Sequence, residues 1–103
     1  MYKLAFFVPE ASAEAVKAAV FAAGAGHIGA YDRCSFETRG TGQFRPLAGA
    51  DPHIGRIGEL ERITELRVEM VCDDRHITAA IAALKAAHPY EQPAWEAWQL
   101  ADP

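Results

Sequence analysis

At 103 residues, with 50% hydrophobic and 23% charged side chains, the chain has the size and balance of one globular domain, which excludes a disordered chain and a two-domain one. Its formal net charge of −4, without a run of lysines or arginines, argues against nucleic acid as a partner, because phosphate binding needs a concentrated basic surface. No apolar run approaches the ~20 residues needed to cross a bilayer. Pro9 and Glu10 stop the first run too early for a signal-peptide core, so a cytoplasmic location with no membrane partner is expected.

The opening YKLAFFVP is rich in aromatic and branched residues and shows little polar alternation, so it predicts a central strand covered on both faces. Ser12 is placed to cap a first helix, with Glu14 near its positive end. Val16, Ala19, Val20 and Ala23 recur at helical spacing, and Gly24 and Gly26 supply the stop. AYDRCSFET then alternates as a half-buried strand would, which assigns Ala30, Cys34 and Phe36 to the core side and Tyr31, Arg33, Ser35 and Glu37 to the other.

From about residue 40 to 60, five glycines and two prolines predict a long loop, or an extended hairpin arm, of the kind that binds a ligand or touches another subunit. ERITELRVEMVCD alternates again, with Leu66, Val68, Met70 and Cys72 facing one way and Glu65, Arg67 and Glu69 the other. Asp74 is placed to cap a second helix with an apolar stripe of Ile77, Ala80, Ile81 and Leu84, which must end before Pro89. AWEAWQL is the last strand. The order βαββαβ is the ferredoxin-like split βαβ, an α+β fold in which a four-stranded antiparallel sheet carries two helices on one face. Its other face, expected to carry Tyr31, Arg33, Glu65, Arg67 and Glu69, suits burial in a homo-oligomer.

Three segments carry a family resemblance: GAGHIGAYDRCSF, GTGQFRP and HPYEQPA, in matching order and spacing. Together they resemble the domain inserted in many bacterial members of the NGG-interacting factor three family, here expected to stand alone as a single domain over 1–103. HPYE also resembles the CutA divalent-cation tolerance proteins. Both resemblances imply a CutA/PII-like fold, typically a trimer. The resemblance does not carry over the hydrolase or cyclohydrolase activity associated with that family, because the dinuclear metal centre belongs to the parent domain flanking the insert. Ala30 and Gln92 stand where that pattern leads one to expect more polar or acidic residues.

The titratable residues that invite chemistry are His27, Cys34, His88 and Glu91, a set whose imidazole and thiolate donors suit copper or another divalent metal ion. His27 and His88 both follow helices, and such a site requires the two connections to share one end of the sheet. Each residue also has a structural reading. His27 can hydrogen-bond the glycine-rich turn, Cys34 and Cys72 can be small core hydrophobes, His88 can cap the second helix, and Tyr90 and Glu91 can pin the turn between Pro89 and Pro93. GTGQF and GRIG lack the lysine and the strand-to-helix setting of a phosphate loop, and no GxSxG nucleophile is present, so an enzyme is not expected. Two functions remain: a metal-binding or metal-homeostasis protein of CutA type, and a PII-like regulatory or structural module that binds a small ligand or partner protein.

Overall fold

The structure, a computed structural model, describes residues 1–102. Its elements are β1 (Tyr2–Pro9), a 3-10 turn (Glu10–Ser12), α1 (Ala13–Ala22), β2 (Phe36–Phe44), β3 (Glu61–Cys72), α2 (Ile77–Ala87) and β4 (Trp95–Gln99). The sheet order is β2-β3-β1-β4 with every neighbouring pair antiparallel, which is the expected ferredoxin-like arrangement. β1 is central as its composition requires, and Leu4, Ala5 and Phe6 are completely buried.

One face of the sheet packs under the helices. Leu4, Phe6 and Val8 of β1 and Leu66, Val68, Met70 and Cys72 of β3 meet Val16 and Val20 of α1 and Ala80 and Leu84 of α2. Each fully buried aliphatic or aromatic side chain here contributes about 1.5–3 kcal/mol. The period-two pattern of β3 is realised without a slip from Leu66 to Cys72. Opposite the helices lie Phe7, Glu65, Arg67 and Glu69, whose register pairs them across the same face with Thr38, Gly40 and Phe36.

Local signals failed at both helix starts. Ser12 occupies the position before α1 but makes no side-chain cap, because the 3-10 turn leads into the helix and the Ala13 amide donates to the Glu10 carbonyl. Asp74 does not cap α2 either. It pairs with the amino terminus, while His76 stands before the helix after a turn closed on the Asp73 carbonyl.

The second strand also starts later than its alternation suggested. Ile28 and Tyr31 close a tight turn on each other, Arg33 is left-handed with φ 54°, and the Cys34 amide donates to the Gly26 carbonyl at 2.9 Å. Residues 30–35 therefore form a knot of turns, and Tyr31 and Arg33 do not belong to the open sheet face. Phe36, assigned to the core, is 68% exposed on that open face, and Cys34 is only half-buried.

β2 continues through Gly40 and Gly42 to Phe44, so the irregular segment is confined to 45–60. β1 ends at Pro9 opposite Glu65, and beyond it Glu61–Thr64 pair only with Thr41–Phe44. The result is a two-stranded arm projecting past the sheet. Segment 45–60 folds at its tip, held by the Gly58 amide on the Pro46 carbonyl at 2.7 Å.

Candidate ligand pocket

His88 is the residue on which the pocket side of the fold turns. α2 ends before Pro89, and its next residue is extended, with the His88 amide still donating to Leu84. The ring is 6% exposed. Nδ1 accepts from the Tyr90 amide at 3.0 Å, so Nε2 carries the proton and donates to the Phe7 carbonyl at 2.7 Å. That carbonyl lies where β4 has not yet begun to pair, so the imidazole stands in for a strand donor. Burial holds its pKa below the ordinary histidine value, although the bond to Phe7 opposes this, and nearby His53 adds slightly to the lowering.

Tyr90 packs against the other side of this link, with ring centroids 5.0 Å from His88, 5.9 Å from Phe44 and 6.3 Å from His53. Its hydroxyl is buried, faces the Glu65 carboxylate and has no partner in good hydrogen-bonding geometry. Burial pushes the Tyr90 pKa up to about 12, with the Glu65 charge adding to it, so the group is a hydroxyl at any physiological pH. Burial also raises the Glu65 pKa, opposed by the hydrogen bond available from the Tyr90 hydroxyl. Glu65 leans into the space that a Cβ on Gly42 would occupy, which is why a strand position tolerates glycine there.

Around Tyr90 and Glu65 opens a cavity of about 250 Å³, walled mainly by Phe7, Phe44, Pro46, Pro52, Ile54 and Ala94. Segment 45–60 forms its roof. The roof is tied down by Glu91, whose two carboxylate oxygens accept from the Asp51 amide at 3.0 and 3.2 Å. GTGQFRP and HPYEQPA, with 41 residues between them, thus build walls of one pocket.

The four residues proposed as metal ligands are divided by topology. β3 runs antiparallel to β1, so the two crossovers run in opposite senses: α1 delivers His27 to the end where the Gly26 amide meets Val71, and α2 delivers His88 to the end at Phe7. Those ends are four residues apart on β1, or about 13 Å. His27 and Cys34 share one turn region, His88 and Glu91 the other, and among the described residues no group of three or more His, Cys, Asp or Glu side chains is arranged to hold a metal ion. Both nitrogens of His88 are already engaged. Glu65 and Phe44 were missed as site residues, although the pairing of an inward-leaning carboxylate with GTG glycines across two strands was the available signal.

No protein-family profile matches the chain. A protein of Mycobacterium tuberculosis named GTP cyclohydrolase 1 type 2 homolog is 50% identical over 101 residues, covering 98% of this chain and 27% of its own length. A solved Bacillus cereus protein related to NIF3 superposes with a TM-score of 0.83 at 40% identity, over 98% of this chain and 26% of that one. The chain is homologous to one segment of the Nif3-family proteins. It spans about a quarter of the length of the curated relatives it matches. The chain also has the fold of CutA1 from Pyrococcus horikoshii, with a TM-score of 0.70 at 16% identity, here covering 100% of this chain and 86% of the other. Among the described residues no helix is long and apolar enough to cross a membrane.

Proposed function

We propose that this chain is a non-enzymatic, cytoplasmic, homo-oligomeric module of PII-like type that binds a small ligand at the Tyr90–Glu65 pocket. The observation that carries the reading is the buried Tyr90 hydroxyl facing a desolvated carboxylate in a mainly apolar cavity. A pocket with a few convergent polar groups and perturbed acids is the usual form of a binding site. Self-association is supported by Phe36 and Trp98, exposed on the face opposite the helices, and by edge strands β2 and β4, whose outer sides have no strand neighbour among the described residues. Head-to-tail joining of such edges closes a ring, and a homotrimer has three times the 11.2 kDa chain mass. The free cysteines Cys34 and Cys72 support a reducing compartment.

Thermal-shift screening of small metabolites together with sedimentation equilibrium tests both halves. A ligand-dependent rise in melting temperature that disappears in a Tyr90→Phe, Glu65→Gln double variant supports the pocket, and a monomer at micromolar concentration refutes the assembly.

A second reading, copper or another divalent ion bound at His27 and Cys34, is favoured by the Cys34 amide bond to Gly26, which places these two donors in one accessible turn region. Two donors make an incomplete site, so this reading requires a second subunit to supply the rest. Metal titration of the His27→Ala, Cys34→Ala variant tests it: affinity equal to that of the unaltered protein rules it out.

A further inference from the structure

We propose that the ligand of the Tyr90–Glu65 pocket is a small organic cation, an ammonium head on an apolar or aromatic body. This rests on the pocket reading above and adds the chemical class. The Glu65 carboxylate forms no ion pair among the described residues. Its basic strand neighbours are otherwise engaged: Arg67 with Glu69 and Glu96, Arg62 with Gln43. The remaining charged or titratable groups that line the cavity are Glu91, whose carboxylate is held by the Asp51 amide, exposed Arg45, and His53. An anion would therefore meet two carboxylates against the single, solvent-exposed guanidinium of Arg45. A neutral apolar guest would leave Glu65 desolvated with only the Tyr90 hydroxyl beside it and no counter-charge, which is costly.

An ammonium head answers each feature at once. Its N–H groups donate to Glu65 and to the lone pairs of the Tyr90 hydroxyl, in charge-assisted bonds that are about twice as strong as neutral ones. The Phe44, Tyr90 and His53 rings, which cluster together in the cavity lining, are available for cation–π contact. Phe44, Pro46, Pro52 and Ile54 receive the body of the guest. A bare metal ion lacks these matches: His53, Glu65 and Glu91 all line the cavity, but among the described residues no three His, Cys, Asp or Glu side chains are arranged to hold one.

Isothermal titration of the full chain at pH 7.5 with phenethylammonium, neutral phenethyl alcohol and hydrocinnamate tests the class. The cation should bind at least about tenfold more tightly than the alcohol, and the carboxylate should bind worst. Glu65→Gln, nearly isosteric, should bring cation and alcohol to within about twofold, and Tyr90→Phe should weaken the cation while leaving the alcohol unchanged. Cation affinity should also fall as pH is lowered through the raised Glu65 value, since protonation removes the counter-charge, whereas alcohol affinity should not. Equal or tighter binding of the alcohol or the carboxylate overturns the cation assignment and leaves the pocket as a ligand site. Absence of binding by all three at millimolar concentration overturns both.

Discussion

His88→Ala tests whether the imidazole is a structural strut. The ring satisfies two backbone groups, the Phe7 carbonyl at 2.7 Å and the Tyr90 amide at 3.0 Å, in a position only 6% exposed. Truncation leaves both without partners at about 1–3 kcal/mol each where water does not enter, and removes an aromatic contact worth about 0.5–1.5 kcal/mol. A loss of about 3 kcal/mol is expected, with hydration of the vacated space favouring the lower end of each range. Urea denaturation at pH 7.5 should show it as a lower midpoint at unchanged slope. The pH dependence is a second, independent reading. The folded pKa of His88 lies below its unfolded value, so the unfolded chain binds more protons, and stability is complete above about pH 6.5 and lost as pH falls through the folded value. That sloping window should be shallower in His88→Ala. A loss under about 1 kcal/mol, or an unchanged slope, refutes the strut and frees His88 for another role.

Glu65→Gln should raise the melting temperature of ligand-free protein at pH 7. The folded pKa of Glu65 is raised, so its favourable contribution is complete below about pH 4.5 and is lost as pH rises through the folded value; a melting series from pH 4 to 8 should show the variant's advantage growing with pH. Gly42→Ala should displace the Glu65 side chain from the cavity, lowering phenethylammonium affinity about tenfold with under about 1 kcal/mol change in stability, because the end of a flexible side chain yields before backbone does; calorimetry and denaturation measure the two effects separately. Gly26→Ala should cost more than about 1 kcal/mol in denaturation, since φ is 86° and a Cβ there would stand 2.8 Å from the Phe21 ring.

The strands and helices that face the common core were legible because burial imposes a period. β3 alternates from Leu66 to Cys72 and α2 carries Ala80 and Leu84 inward, as their spacing required. Residues 30–37 alternate too, yet no sheet neighbour holds residues 30–35, and the left-handed Arg33 ends the pattern before Phe36. Caps failed for a similar reason: Ser12 and Asp74 have the right chemistry, but a 3-10 turn and the amino terminus answer the local demand instead.

The candidate site was half legible, and the missing half is topological. HPYE drew attention through its histidine and glutamate, which suggested a partner in the other histidine-bearing turn. The antiparallel order of β1 and β3 forbids that meeting within one chain, because the first crossover returns to the start of β1 and the second to its end. What the same topology brings to HPYE is the arm, since β3 overshoots β1 by four residues and carries β2 with it. The arm's glycines then matter for a reason outside turn chemistry. In a nine-residue edge strand, Gly42 leaves room for Glu65 to lean toward Tyr90, and the irregular segment beyond Phe44 folds back far enough for Glu91 to hold the Asp51 amide. His88 and Glu91 therefore position the pocket, one by pinning Tyr90 and the other by pinning the roof, while Glu65 and Tyr90 face the cavity.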